Sequence, residues 1–312
     1  MTAAAGSAAA AFPVPDGPDL GAPWHHGDPL REQRRLDAGE GFVDHSHRPV
    51  VRIAGPDRLA WLHSITSQHL TELPPGTWTE ALVLSPHGHV EHHLDLVDDG
   101  ETVWAHVEPG TVDALVQYLQ MMKFWSDVDI SDATDAWAVV WRPGPSGMDG
   151  ADRWQLVPRA ELAGFAEQHG PAAGIWAYEA LRVAAGRPRL GFETDHRTIP
   201  HEVGWIGPAV HLDKGCYRGQ ETVARVQNLG RPPRRLVRLH LDGSEQTLPH
   251  HGASVSWNQR LVGFVGTAVQ HYELGPVALA VVKRNTPDDA VLLVEVADAA
   301  PVSAHLDALV RA

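Results

Sequence analysis

The chain has 312 residues and a formal net charge of −14, and 43% of its residues are hydrophobic. This length allows more than one compact domain, and the acidic balance argues against a protein that binds the phosphates of nucleic acid. No apolar run reaches the length of a membrane span. The single cysteine, Cys216, excludes an internal disulfide and a thiolate cluster built from this chain alone. We therefore expect a cytoplasmic protein without nucleic-acid or membrane partners.

The first 30 residues are rich in alanine, glycine and proline and have little periodicity. No basic segment precedes the alanines, which argues against a signal peptide. We expect a disordered N-terminal tail, in which Trp24 is the residue best suited to dock on the folded part of the chain.

Strand and helix signals alternate beyond this tail. Val50–Ile53 has the pattern of a short strand, and Asp57 is placed to cap a helix over Leu59–Leu70. A hairpin is predicted next, with strands at Thr79–Leu84 and His89–Val97. Further strand or helix patterns follow at Thr102–Val107, Val112–Met122, Val128–Ile130 and Ala136–Trp141.

The second half of the chain begins with a glycine- and proline-rich loop at 143–150, which predicts a junction between two subdomains. Helical patterns follow at Ala160–Gln168 and Trp176–Ala185. Residues 191–220 have no sustained period but keep apolar side chains, so we expect a packed loop that carries function. After a linker at 231–235, short strands separated by turns predict a small antiparallel β-barrel or sandwich. The predicted strands are Leu236–Leu241, Ala253–Trp257, Arg260–Ala268, Val277–Val282 and Val291–Val296. The predicted division is a tail at 1–30, a two-subdomain region at 31–230 and a C-terminal barrel domain at 231–312.

The strongest local signal is the run Lys214–Glu221, in which the only cysteine lies between two glycines. Glycines allow a tight turn and close approach of a ligand to the backbone. Lys214 and Arg218 flank Cys216, and a helix is predicted to begin nearby, so cationic groups and a helix N-terminus would favour the thiolate form. An ordinary small residue in a packed loop is the competing interpretation.

A second signal is a group of four histidines in the predicted hairpin, at His87, His89, His92 and His93. Because neighbouring strand residues point to opposite faces, His89 and His93 share one face with Asp95. That face is polar, and we expect it to be solvated, without a metal. His92 lies on the apolar face, where a pocket residue and a buried core histidine are equally consistent with the pattern. A third feature, Arg182 in a helical segment, fits either a surface residue or a ligand contact.

These residues carry a specific resemblance. Lys214–Glu221 (KGCYRGQE) resembles the signature of the YgfZ family of folate-binding proteins, which are relatives of the glycine-cleavage T-protein. Other segments are also similar to this family or to the T-protein, namely Gly41–His47, Leu181–Gly191, Thr198–Gly204, Glu221–Val226, Val262–Ala268 and Gly275–Arg284.

The resemblance implies an α+β fold of the T-protein type, with subdomains around a central cavity and a C-terminal β-barrel. It implies that this cavity binds tetrahydrofolate or a one-carbon derivative. The family is linked to making or maintaining iron–sulfur enzymes. Because one cysteine cannot hold a cluster, a role of Cys216 would need the thiolates of a client or assembly protein, or a transient redox or sulfur-transfer step.

The resemblance also implies the site residues. Cys216 is the expected functional thiol, with its charge tuned by Lys214 and Arg218, and the loop that carries it is expected to border the cavity. The expected folate contacts are Arg182, Gly215, Tyr217, Arg218, Gly219 and Gln220. Among these, the two glycines would shape the loop and Gln220 would hold it by hydrogen bonds.

Two departures from the T-protein pattern leave alternatives open. The T-protein has a catalytic aspartate where this chain has His92 and His93, and a folate-contacting glutamate where it has Ala184. One alternative is a folate-dependent one-carbon transferase in which His92 serves as the general base. Another is a non-catalytic scaffold that binds a partner protein and no folate.

Overall fold

The computed structural model describes residues 11–144, 148, 153–243 and 247–310. The helices are α1 (Pro29–Asp37), α2 (Arg58–Ile65), α3 (Val112–Met121), α4 (Leu162–His169), α5 (Ile175–Ala184) and α6 (Gln220–Leu229). The strands of the first half are β1 (Phe12–Pro13), β2 (Pro23–His25), β3 (Phe42–Asp44), β4 (Val50–Ala54), β5 (Trp78–Leu84), β6 (Val90–Asp98), β7 (Thr102–His106), β8 (Asp129–Asp132) and β9 (Trp137–Trp141). The later strands are β10 (Trp154–Pro158), β11 (Ala172–Ala173), β12 (Arg234–Leu241), β13 (Ser254–Trp257), β14 (Arg260–His271), β15 (Gly275–Lys283), β16 (Val291–Val294) and β17 (Val302–Ala308). Single 3-10 turns lie at Arg159–Glu161 and Pro200–Glu202.

An antiparallel sheet with the strand order β5-β6-β7-β4-β8 forms the first layer. One of its faces packs against α2 and α3, because alternation along β6 places Leu94 and Leu96 in the core that these helices share. The same alternation places His93 and Asp95 on the opposite face. Both of these polar residues are buried, so that face of the sheet is covered by the rest of the molecule and is not solvated.

A second, mixed sheet has the order β10-β9-β3-β11. Its core includes residues of α1 and α5, among them Leu36 and Ile175. Helix α5 also packs against strand β14 of the C-terminal domain. Helix α5 thus contacts both the mixed sheet and the C-terminal domain. The side chains at its C-terminal end are therefore held between the sheets and that domain.

The described part of the chain beyond residue 233 folds into a closed barrel of antiparallel strands in the order β12-β15-β14-β13-β16-β17. Its interior is filled by valine, leucine and alanine side chains that alternate with outward-facing residues, as expected for a small barrel. The predicted α+β class and C-terminal antiparallel barrel are confirmed. The last strand, β17, was not predicted, and it closes the barrel by pairing with β12 and β16.

The N-terminal segment is ordered from residue 11 onward, so the predicted disordered tail is wrong for residues 11–28. Strands β1 and β2 form a short hairpin, and Trp24 stacks on Trp176 with ring centroids 5.0 Å apart. Between the strands, Asp19 is buried and pairs with Arg189 at 2.6 Å. These two contacts with distant residues hold a segment whose composition suggested disorder. Residues 1–10 lie outside the described residues.

The predictions for the start and the end of α2 are wrong. Asp57 precedes α2 but its side chain does not cap the helix, because the carboxylate accepts a hydrogen bond from the backbone of Asp127 at 2.8 Å. The helix ends at Ile65, where the chain becomes extended, and does not continue to Leu70.

The predicted subdomain junction at 143–150 falls mostly outside the described residues. No helix in the described ranges is both long and apolar enough to cross a lipid bilayer.

Candidate functional site

A cavity of about 320 Å³ lies between the two sheets, the C-terminal end of α5 and the end of the barrel. This volume is within the range of small-molecule sites in proteins. Its polar lining residues are Arg48, Glu80, His93, Asp95, Glu108, Arg182, Arg187 and Arg189. Its aromatic lining residues are Trp141, Trp154, Tyr178 and Trp205. We call this space the central cavity.

The five-stranded sheet forms a polar floor of the central cavity. Glu80 of β5 lies opposite Asp95 of β6, and Asp95 lies opposite His106 of β7. His93 precedes Asp95 by two residues and therefore lies on the same face. Its Nε2 is 2.9 Å from a carboxylate oxygen of Glu80. The prediction that this face of the hairpin is solvated is wrong, because its polar side chains face a cavity.

Burial and charge shift the pKa values of this floor in different directions. Burial alone would raise the pKa of Glu80, but the hydrogen bond with His93 and the charges of His93 and Arg187 lower it to about 2. Burial raises the pKa of Asp95 to about 6, against the charge of His93. Burial would lower the pKa of His93, but the carboxylates of Asp95 and Glu80 raise it above its usual value.

A buried arginine–carboxylate network forms the adjoining wall. Arg182 donates to both Glu179 and Glu193, with closest distances of 2.6 and 3.0 Å. Its remaining N–H groups reach the Thr267 hydroxyl and the Arg187 carbonyl. Arg182 therefore lines the cavity, but all five of its donors have protein partners. The structure does not leave it the free donors that a predicted folate contact would use.

Aromatic rings supply the flat surfaces of the central cavity. The rings of His93 and Trp205 are stacked, with centroids 4.9 Å apart and an angle of 13° between their planes. Trp154 and Tyr178 stand at the other wall, and both contact the ring of His45 at their edges. A planar heterocycle could therefore be bounded by rings on several sides.

The Cys216 loop does not border this cavity. Cys216 is exposed and forms no disulfide, and no residue of Lys214–Gln220 is among the residues that line the central cavity. Gly215 and Cys216 are exposed, and Gly219 packs against Ser85 and Gly88 of the hairpin turn. The prediction that the loop with the thiol borders the cavity is therefore wrong. The physical reason is that Lys214 anchors the loop to the end of α2.

Lys214 is directed inward, toward the end of α2. Its ammonium group donates to the backbone carbonyls of His63, Thr66 and Gln68, with the Thr66 oxygen at 2.5 Å. Burial lowers the pKa of Lys214 to about 8. A cation at the C-terminus of a helix is favoured by the helix dipole, and here it also satisfies carbonyls that α2 leaves unpaired. Lys214 thus fixes the loop to the end of α2, and its ammonium group is occupied by these carbonyl contacts.

The other residues of the motif shape and hold the loop. Gly219 has a φ of +83°, and a Cβ there would lie 2.6 Å from the carbonyl oxygen of Ser85, so this position requires glycine. Gln220 reaches the carbonyl oxygens of Lys214 and Gly215 at 3.4 and 3.5 Å. These two long contacts agree with the predicted role of Gln220 in holding the loop, which stays a prediction. Gly215 has open space around its Cα, and no contact in the described residues requires glycine there.

Tyr217 and Arg218 anchor the loop on its other side. Tyr217 is buried in the core between the hairpin and the barrel, and its ring centroid lies 5.0 Å from the Lys214 ammonium. Arg218 pairs with Glu91 of β6 at 3.1 Å and lies over the ring of Tyr118. Neither side chain lines the central cavity, so the structure places both as supports of the loop.

His92 lies on the opposite face of β6 from His93. It is partly buried, and burial lowers its pKa to about 4. It is not among the residues that line the central cavity. The structure therefore separates His92 from the polar floor, to which its neighbour His93 belongs.

His45, which contacts the cavity residues Trp154 and Tyr178, makes the stability of the fold depend on pH. Burial lowers the pKa of its ring well below the usual value, so the fold requires the neutral form. The contribution of neutral His45 to the free energy of unfolding is fully present above the pKa of about 6.5 in the unfolded chain. It is lost as the pH falls below that value. We expect His45→Phe to reduce the acid-induced fall in unfolding free energy by up to about 1.4 kcal/mol per pH unit. Urea unfolding between pH 7.5 and 5 measures this difference. The exposed His196, changed to Gln, should leave the slope unchanged, and equal slopes for wild type and His45→Phe would contradict the assignment.

Sequence reasoning missed most of the residues that line the cavity. Glu80, Arg187 and Arg189 were not singled out, and Asp95 was assigned to a solvated face. One signal was present, since strict alternation in β6 places His93 and Asp95 together. Whether that face meets water or another domain depends on contacts between distant segments, which a single strand does not reveal.

The sequence of the chain was compared with protein-family models and with known proteins. No protein-family model matches the chain. It is 30% identical over 305 residues to the aminomethyltransferase of Geobacillus kaustophilus, and the alignment covers 81% of this chain and 82% of that protein. The chain belongs to the aminomethyltransferase family. The aminomethyltransferase of Bacillus subtilis is 24% identical over 307 residues, with 83% of each chain covered.

Two further comparisons concern a plant protein and a solved structure. A chloroplastic protein of Arabidopsis thaliana, named as a transferase, is 23% identical over 270 residues. That match covers 73% of this chain but 61% of the plant protein, so the chain spans less than two thirds of this relative. The crystal structure of glycine cleavage system aminomethyltransferase T from Bartonella henselae superposes with a TM-score of 0.80 at 17% identity, covering 95% of this chain and 93% of that one. The fold of the chain is therefore the aminomethyltransferase fold.

Proposed function

We propose that the protein binds a reduced folate, tetrahydrofolate or a one-carbon derivative, in the central cavity and supports the assembly or repair of iron–sulfur proteins through the Cys216 loop. The observation that carries the folate proposal is a cavity of about 320 Å³ at the centre of an aminomethyltransferase fold, lined by aromatic rings and charged groups. The iron–sulfur proposal is supported by the resemblance of the loop motif to that of the YgfZ family.

The lining of the central cavity fits the chemistry of a folate. The rings of Trp154, Tyr178 and Trp205 can pack against a flat pterin. Arg187 is the cavity arginine with the most exposed side chain, at 30%, and its guanidinium can pair with a carboxylate of the glutamyl tail. A bound folate would supply the one-carbon carrier, while these side chains would bind and orient it.

The exposed loop fits a role toward a partner protein. Lys214, Tyr217 and Gln220 hold its backbone by the contacts described above, while the thiol of Cys216 stays accessible. A rigid, exposed thiol can reach a cluster or a cysteine on another protein. Because the described part of the chain has no second thiolate, any cluster would need ligands from that partner.

Folate binding is tested by calorimetric titration of the purified protein with tetrahydrofolate. We expect saturable binding with one folate per chain. Absence of binding heat at any tested temperature, together with no protection against thermal unfolding, would reject the folate proposal and favour the scaffold alternative. A folate that stabilises the native state must raise the unfolding temperature.

The role of the thiol is tested in cells that lack this gene. We expect Cys216→Ser to leave iron–sulfur enzyme activity at the level of the deletion, whereas the wild-type gene and the exposed neighbour variant His211→Gln restore it. Exposed side chains such as Cys216 tolerate this isosteric change, so the protein level should be equal for all three. Full restoration by Cys216→Ser would show that the thiol has no such role.

The alternative of a one-carbon transferase with His92 as the general base gains no support from the geometry, because His92 lies outside the central cavity lining. Incubation of the protein and tetrahydrofolate with aminomethyl or methyl donors, for wild type and His92→Ala, would test it directly. A cytoplasmic location and iron–sulfur clients remain part of the proposal.

A further inference from the structure

Asp95 is a buried carboxylate on the floor of the central cavity. Only 6% of the residue is exposed, and it is among the residues that line this space. Ring nitrogens of His93 and His106 each lie 3.9 Å from its Oδ2, which is too far for a hydrogen bond. Among the residues that the structure describes, no donor forms a hydrogen bond with either oxygen of Asp95. Both oxygens are therefore available to a ligand.

The arginines around the cavity are engaged by other carboxylates. Arg48 pairs with Glu108 at 3.0 Å, and Arg187 pairs with Glu80 at 2.6 Å. The other two arginines of the described lining are likewise held by carboxylates, with closest distances of 2.6 Å. Because a buried carboxylate without donors costs free energy, Asp95 is in the state expected of a group whose partner is a ligand.

The charges of the lining select a neutral partner for Asp95. Of the described residues that line the cavity, four are arginines and three carry carboxylates. The arginines would repel an added cation, whereas a neutral group that donates hydrogen bonds is not repelled. Burial raises the pKa of Asp95 to about 6, so at pH 7.5 the carboxylate is mostly ionised and accepts hydrogen bonds at both oxygens. The partner that fits is a neutral group with two adjacent N–H donors.

Aromatic rings stand beside this carboxylate. The ring centroid of Trp154 lies 4.3 Å from that of His106, which is opposite Asp95 on β7. The ring of Trp205 is stacked on His93, two residues before Asp95 on β6. A planar ligand whose edge meets Asp95 would therefore lie within reach of an indole ring.

We propose that Asp95 binds the pterin ring of the folate, with one carboxylate oxygen accepting the N–H at N3 and the other accepting an N–H of the 2-amino group. These two donors are neighbours on one edge of the ring, and a carboxylate can accept such a pair in bidentate geometry. The inference rests on the proposed folate function and names the residue that selects the ring. The one-carbon unit is carried at N5 or N10, away from this edge, so tetrahydrofolate and its one-carbon derivatives bind Asp95 alike.

The test compares two ligands by calorimetry at pH 7.5 without oxygen. One is tetrahydrofolate, and the other is its 2-oxo counterpart, in which a carbonyl oxygen replaces the 2-amino group. In the wild type this oxygen would face the carboxylate of Asp95, so a donor is lost and two acceptors meet. We expect the 2-oxo ligand to bind the wild type about 100-fold more weakly than tetrahydrofolate.

The variant Asp95→Asn should change the preference between the two ligands. Its amide keeps one acceptor for N3–H but presents an N–H₂ group where the 2-amino group needs an acceptor. Binding of tetrahydrofolate should therefore weaken by about 10- to 100-fold. The same N–H₂ group can donate to the 2-oxo ligand, which should bind this variant more tightly than it binds the wild type. The control Asp113→Asn makes the same chemical change at an exposed position of α3 and should keep the wild-type preference.

The outcomes separate this inference from the folate proposal. If the wild type binds neither ligand, the folate proposal is wrong and the role of Asp95 is wrong with it. If the wild type binds tetrahydrofolate and the 2-oxo ligand equally well, the folate proposal stands and the role of Asp95 is rejected. Wild-type affinity of Asp95→Asn for tetrahydrofolate would reject it as well. The ligand comparison on the wild type needs no variant, so it decides the matter even if Asp95→Asn does not fold.

Discussion

Replacement of Arg182 by leucine should lower the free energy of unfolding by about 3–5 kcal/mol. Arg182 is buried and is the shared partner of Glu179 and Glu193, which are also buried. Removal of the arginine leaves carboxylates in a medium of low polarity without their cation, and that penalty is larger than the net contribution of an intact buried pair. Denaturant-induced unfolding at neutral pH, followed by circular dichroism, measures the loss.

The matched control for this variant is Arg197→Leu, which changes an exposed arginine in the loop region that follows α5. A surface substitution of this kind should change the unfolding free energy by no more than about 0.5 kcal/mol. A loss below about 1 kcal/mol for Arg182→Leu would mean that the network is dispensable for the fold. In that case Arg182 would be free for the ligand contact that the sequence suggested.

Replacement of Ala185 by tryptophan should weaken folate binding by roughly 100-fold or more, equivalent to about 2.7 kcal/mol. Ala185 lies at the C-terminal end of α5, is exposed and lines the central cavity. A large ring at this position would occupy the space that the ligand needs. Because the residue is exposed, the core is not overpacked and the fold should persist.

The control for the blocked cavity is Ala224→Trp. Ala224 lies on helix α6 and is also exposed, but it does not line the central cavity. It should bind tetrahydrofolate with the affinity of the wild type. Equal affinities for all three proteins would place the folate elsewhere, while equal unfolding temperatures would confirm that the comparison concerns binding and not stability.

Local patterns in the sequence predicted elements whose signals are short-range. The alternation and turns beyond residue 231 predicted the barrel, and the KGCYRGQE run predicted a tight loop that Gln220 holds. Strand β17 escaped because its sequence, Val302–Ala308, mixes alanine with charged and polar residues that resemble a loop. Only its pairing with β12 and β16 makes it a strand.

The candidate site depended on contacts that no local pattern contains. Asp19 pairs with Arg189 across 170 positions of sequence, and this contact helps to hold a segment with the composition of a tail against the folded chain. Likewise, the sequence of β6 alone predicts that its polar face is solvated, whereas in the folded chain other segments cover that face. The direction of Lys214 was equally hidden, because its acceptors lie in the last turn of α2 and just after it, about 150 residues away.

The most direct test of the central claim is a crystal structure of the protein with bound tetrahydrofolate or a stable reduced analogue. The account predicts electron density for the pterin ring inside the central cavity, in contact with Trp205 or Trp154, and the glutamyl tail directed toward Arg187. Density for the folate at the Cys216 loop or on the outer surface of the barrel, with this cavity filled only by solvent, would contradict it.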